Sequence, residues 1–369
     1  MTEATFKAAM IQMRSGHAPA ANLDAAVRLI GEAKSAGADY VQTPEMTNIM
    51  TVKRERLFAA IVEEQADASL ATFRELARKL GIFVHVGSLA IKVGPEKAAN
   101  RTFLIDPKGE IAARYDKIHM FDVDLGYGES YRESRSYRPG EQAVISDLPW
   151  GRLGLTVCYD LRFPALYRAL AEAGASMLAI PSAFTQQTGE AHWNVLNRAR
   201  AIENGCFVFA AAQGGKHESG RETYGHSLIV DPWGRILAEG GAEPGVVMAE
   251  IDLAEVSKAR ARIPSLQHGR RFEIVEPMAE PAHLHVVRSA ECFITRWFAS
   301  TATISKAGFR IPWPLISRLS ADWWPARIAA RPKLRKRSWR RGWRQPRNRK
   351  LLLRHQHPRR SRQQQTKHR

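Results

Sequence analysis

Short apolar runs bounded by turn residues alternate along this chain with longer stretches whose apolar positions recur every three or four residues. The short runs read as strands: Phe6 to Met13, Tyr40 to Thr43, Ile82 to Ser88, Arg101 to Ile105, Arg152 to Val157, Met177 to Ile180, Cys206 to Ala212, His226 to Val230 and Val246 to Ile251. The longer period places Leu23, Ala26, Val27, Ile30 and Ala33 on one helix face, with Asn22 as the predicted cap and Gly37 near the end. A second helix follows Asp67, with Leu70, Phe73, Ala77 and Leu80 on one face and Gly81 closing it. The segments Asp106 to Gly109 and Asp231 to Gly234 carry turn chemistry and predict hairpins. Strands mixed with amphipathic helices give an α/β or α+β class.

Charge divides the chain. From Arg288 onward there are 23 basic residues and two acidic ones, Glu291 and Asp322, leaving 32 basic and 35 acidic residues upstream. The formal net charge of +18 therefore belongs to the tail, and the body is weakly acidic. The expected organisation is a folded domain over residues 1–287 and a basic extension over 288–369. Six of the nine tryptophans lie in that extension, which lacks the upstream periodicity. Basic residues interleaved with aromatics can bind nucleic acid or an anionic surface. The same composition also reads as disorder, and the preferred reading is an aberrant extension from a shifted frame or read-through.

Cys158 holds the most informative position. It ends the apolar run Leu153 to Val157, and Pro164 soon after suits the first turn of a helix. A thiol between a strand end and a helix start lies where backbone N–H groups favour a thiolate and a neighbouring oxyanion. A small buried hydrophobe is the competing reading. Two more strand ends carry charges, Glu45 after Tyr40 to Thr43 and Lys117 after Arg114 to Asp116. Glu45 is a candidate base and Lys117 a candidate fixed cation.

Together these segments resemble the nitrilase, or carbon-nitrogen hydrolase, superfamily over about residues 5–275. The resemblance rests on TPEM at 43–46, YDKIHMFDVD at 115–124, YRES at 131–134 and GLTVCYDLRFP at 154–164. PSAFTQQTGEAHW at 181–193, RARAIENGCFVFAAAQ at 198–213 and YGHSLIVDPWG at 224–234 are similar to the branch of amidases acting on deaminated glutathione. The omega-amidases are the sister branch. The resemblance implies a four-layer αββα sandwich, with Glu45 as general base, Lys117 as oxyanion-stabilising cation and Cys158 as nucleophile. Glu133 would orient Lys117 or take part in proton transfer, and the Tyr159 N–H would complete the oxyanion site. Arg162 is a candidate partner for a substrate carboxylate, with an internal salt bridge as the alternative. Phe184 and Thr185 are expected to line the pocket.

The implied activity is a cysteine-dependent amidase working through a thioester, with deaminated glutathione as substrate. An omega-amide or an N-carbamoyl amino acid is the alternative. A nucleic-acid-binding protein acting through the tail is the rival class. Amide hydrolysis by these residues requires neither metal nor organic cofactor. The pair His283 and His285 lacks further ligands at suitable spacing and reads as a surface strand. Three cysteines without a CxxC pair suit a reducing compartment. The start lacks the pattern of a secretory leader and no run is long enough to span a membrane, so the expected location is cytoplasmic. The expected partners are a small-molecule amide and, by resemblance, further copies of the chain.

Overall fold

The computed structural model describes residues 5–275 apart from residue 127. The expectations about the extension over 288–369 and about His283 and His285 lie outside those residues.

Two six-stranded sheets form the centre of the fold. The first runs in the order Gly245–Asp252, Thr5–Gln12, Tyr40–Gln42, Phe83–Lys92, Ala98–Ile105, Ile111–Asp116. The second runs Val144–Leu148, Gly151–Leu155, Met177–Ala179, Phe207–Ala210, Leu228–Val230, Ile236–Glu239. Each sheet has three parallel strands in the middle, one antiparallel strand on one side and two on the other. The two sheets thus repeat one pattern of parallel and antiparallel neighbours, although the single edge strand comes late in the chain, Gly245–Asp252, in the first and directly precedes its neighbour in the second, and no repeat is visible in the sequence.

Period-two alternation on the strands builds the layers. Phe6, Ala8 and Met10 face the second sheet, in one cluster with Leu153, Leu155, Met177 and Phe209. Ala9 and Ile11 point the other way, onto Ala26, Ile30 and Ala33 of helix Pro19–Ser35 and Phe73 and Ala77 of helix Ala68–Leu80. Helices Pro164–Glu172 and Gln186–Asn204 cover the second sheet through Tyr167, Leu170 and Trp193. The result is the expected αββα sandwich. Among the described residues no helix is long and apolar enough to cross a membrane.

Two local expectations change. Asn22 lies inside its helix, because Pro19 at the first helical position starts it earlier. The Asn22 side chain instead accepts from Gly16 N at 2.7 Å and donates to Asn48 O at 2.9 Å. At Cys158 the chain enters a 3-10 turn, Cys158–Arg162, and the α-helix begins only at Pro164. The helix start therefore stands several residues from the thiol. Asp67 does cap its helix, accepting from Leu70 N at 2.8 Å, and Gly81 closes it in the left-handed region.

Candidate active site

Three strand ends from the two sheets meet at one cavity of about 240 Å³. Glu45 follows Tyr40–Gln42, Lys117 follows Ile111–Asp116, and Cys158 follows Gly151–Leu155. All three are buried and all three line the cavity, as do Glu133, Tyr159, Arg162 and Phe184.

Lys117 is the hub. Its Nζ donates to Glu45 Oε1 at 3.0 Å and to Glu133 Oε2 at 2.7 Å. An ammonium has three protons, so one is left for the cavity. Asn100 Nδ2 ties the two carboxylates together, donating to Glu45 Oε1 at 2.8 Å and Glu133 Oε1 at 3.2 Å. Both of these donors fall on Oε1 of Glu45, which leaves Oε2 for the thiol and the reacting groups. Glu133 also accepts from Phe121 N at 2.6 Å, so three donors hold it in place.

The backbone around each group is clamped. Gln213 Nε2 donates to the carbonyls of Glu45 and Met46, and Met46 itself has a positive φ of 56°. Cys158 has a φ of 49°, a conformation that a residue with a Cβ adopts at a cost. Its N–H donates to Pro181 O at 2.9 Å, and the Tyr159 N–H has no acceptor among the described residues. Asp160, fully buried, secures this turn by accepting from Val157 N at 2.8 Å and from Tyr115 Oη at 2.7 Å. It also accepts from His119 N at 3.1 Å and meets the His119 ring at 2.7 Å. The turn at Cys158 is thereby fastened to the segment Tyr115 to His119, which carries Lys117.

Residues 7–261 match the carbon-nitrogen hydrolase family, over more than two thirds of the chain. The chain belongs to that family. A deaminated glutathione amidase of Yersinia enterocolitica is 42% identical over 274 residues, which span 73% of this chain and 94% of that protein. Among solved structures, the Caenorhabditis elegans NitFhit protein aligns with a TM-score of 0.68 at 37% identity, over 73% of this chain and 66% of that one. A variant amidase from Nesterenkonia sp. AN1 aligns with a TM-score of 0.61 at 30% identity, over 72% of this chain and 94% of that one. It shows covalent addition of the acetamide moiety of fluoroacetamide at its active site cysteine. This carbon-nitrogen hydrolase is accordingly a cysteine amidase.

Electrostatics in the hydrolase correct one expectation. Burial, and then the neighbouring Glu45 carboxylate, push the Cys158 thiol well above its ordinary range, despite Lys117. The resting sulfur is a thiol and not the expected thiolate. Burial also works against charge on Glu45, but Lys117, the Cys158 thiol and Arg221 outweigh it and hold that carboxyl below its usual value. Burial likewise opposes the charge on Lys117, and Glu133 and Glu45 overcome it, so the ammonium is retained. An ionised carboxylate therefore sits beside a protonated thiol, the pairing that proton transfer from sulfur requires.

The outer residues divide. Arg162 stands at the cavity with Nη2 3.2 Å from His192 Nδ1 and its guanidinium 5.5 Å from the Phe184 ring centre. It makes no salt bridge among the described residues. Thr185 lies outside the cavity lining, because its hydroxyl caps helix Gln186–Asn204 by accepting from Thr188 N. Thr188, one turn further on, lines the cavity instead. Asn100, Tyr131, Asp160, Gln213 and Arg221 were not anticipated. Of these, Tyr131, Asp160 and Gln213 fall inside the motifs quoted above, whereas Asn100 and Arg221 fall in none.

Proposed function

We propose that this amidase hydrolyses deaminated glutathione to 2-oxoglutarate and cysteinylglycine through a thioester on Cys158. The observation carrying the catalytic part is the ammonium of Lys117 held between Glu45 and Glu133 on the wall where Cys158 opens into the cavity. The substrate assignment draws on the 42% identity to a deaminated glutathione amidase and on Arg162 at the cavity, which has no salt bridge among the described residues and is suited to a carboxylate.

In this mechanism Glu45 takes the thiol proton as sulfur attacks the scissile carbonyl carbon. The third Lys117 proton and the Tyr159 N–H receive the oxyanion. Collapse breaks the carbon–nitrogen bond, and Glu45 returns its proton to the departing cysteinylglycine amine. Glu45 then removes a proton from water, which attacks the thioester and releases 2-oxoglutarate with the regenerated thiol. Glu133 acts as a positioning residue for Lys117, since its oxygens are already occupied by three donors.

The test measures 2-oxoglutarate release from deaminated glutathione beside ammonia release from 2-oxoglutaramate. The expected kcat/KM for deaminated glutathione is higher by at least about tenfold, a difference within reach of a few polar contacts to the dipeptide. The reverse order would place the enzyme with the omega-amidases.

A further inference from the structure

We propose that Arg221 is a specificity-determining residue: its guanidinium, built into the cavity wall with no carboxylate of its own, binds an anionic group of the amide substrate. Arg221 closes the turn between the paired strands Gly214–Lys216 and Glu222–Tyr224. The turn is rigidly held. His217 N donates to Arg221 O at 2.9 Å, and the buried His217 ring is bonded on both nitrogens, to Ser15 O at 2.8 Å and Thr223 Oγ1 at 2.7 Å.

The guanidinium itself is half satisfied. Nη2 donates to Ala183 O, and the group lies over the Tyr131 ring at 5.0 Å. Nη1 has only the soft sulfur of Met50 at 3.9 Å. Nε is buried and has no acceptor among the described residues. Arg101 is paired with Asp116 and Glu64, and Arg200 with Glu203, whereas the half-buried Arg162, Arg168, Arg221 and Arg260 make no ion pair among the described residues, and of these four Arg162 and Arg221 line the cavity. Arg221 has no ion pair among the described residues. The carboxylate whose field it shares, Glu45, is already engaged by Lys117 and Asn100. A cation withdrawn from water without a counter-charge is costly, and a ligand carboxylate relieves that cost. Of the four arginines that line the cavity among the described residues, Arg54 and Arg132 are paired with Glu96 and Asp124, which leaves Arg162 and Arg221 as two guanidinium groups to match an amide with two carboxylates.

This inference rests on the reading that the substrate is an anionic amide, and two measurements separate the two claims. The first is steady-state turnover of deaminated glutathione by Arg221→Met and Arg221→Lys. Removing the charge should raise KM about 10- to 100-fold while kcat stays within about threefold, and lysine should recover part of the loss as a point charge without the fork. The second is calorimetric binding of 2-oxoglutarate and of cysteinylglycine to the Cys158→Ala protein, with and without Arg221→Met. At least one of the two ligands should weaken about tenfold or more. Arg221-dependent binding without turnover of deaminated glutathione would sustain the role of Arg221 and remove the substrate assignment. Unchanged affinity for both ligands, or a loss confined to kcat, would overturn the role of Arg221 and leave the assignment intact. If the methionine variant does not fold, Arg221→Gln, which also removes the charge, makes the same comparison, with the same outcomes deciding it.

Discussion

At the scale of single residues the site is a buried charge relay whose resting state is set by mutual pKa shifts. Cys158 stays protonated because burial and the Glu45 carboxylate both disfavour a thiolate. Its folded pKa is raised, so the thiolate fraction remains small until the pH passes well beyond the ordinary thiol value of about 8.5. The rate of alkylation of Cys158 by iodoacetamide, followed on its own peptide, should therefore keep climbing above pH 8.5. A rate that levels off below pH 8 would show a resting thiolate paired with Lys117 and contradict this arrangement. Glu45, Lys117 and Cys158 were legible in the sequence because each sits in a long motif at a strand end. Asn100 and Arg221 were not, because their importance arises only when distant strands close on one another. Thr185 illustrates the converse error: a sequence neighbour of the cavity residue Phe184 whose hydroxyl is used up in capping a helix.

At the scale of elements, catalytic geometry depends on how closely the loops from the two sheets approach. Gly87, in strand Phe83–Lys92, marks the contact. A Cβ there would lie 1.9 Å from Thr43 O and 2.5 Å from Pro181 Cβ. Thr43 leads into Glu45, and Pro181 O holds the Cys158 N–H. Gly87→Ala should therefore push both loops aside, costing about 3 kcal/mol or more in urea unfolding and lowering kcat in parallel. An alanine variant with wild-type stability and turnover would show that the loops are not wedged as described. Apart from the edge strands Val144–Leu148 and Ile236–Glu239, which were missed, the strands of both sheets were readable from the sequence to within a few residues. The exposed hairpin Asp122–Gly126 with Glu129–Arg132 and the Gly-rich pair that carries Arg221 were not. Their alternation is short and half exposed, so no hydrophobic period distinguishes them from loops.

At the scale of the described fold, the two sheets share one pattern of parallel and antiparallel neighbours and present Glu45, Lys117 and Cys158 at one cavity. The sandwich was foreseen from the resemblance, whereas composition and periodicity alone reached only the mixed class. The repeated pattern left no trace in residue identity because packing constrains size and polarity more than sequence. Among the described residues every one that lines the cavity falls between Glu45 and Arg221, and the family match ends at residue 261. We therefore propose that the basic extension is dispensable for catalysis. A chain ending at residue 287 should fold and keep kcat/KM within about threefold, the small change expected when no contact to the transition state is removed. Loss of the folded, active enzyme on that truncation would show the extension to be integral.

The central claim is that the sulfur of Cys158 is the nucleophile, and turnover of deaminated glutathione by Cys158→Ala tests it most directly. Alanine removes the sulfur and enlarges the cavity, so a loss of activity has no steric explanation. With circular dichroism confirming the fold, kcat should fall by at least about 10⁴-fold, as when a catalytic nucleophile is deleted. Turnover by Cys158→Ala within about tenfold of the unaltered enzyme would contradict the account, since a loss that small matches one missing contact and not the missing reaction.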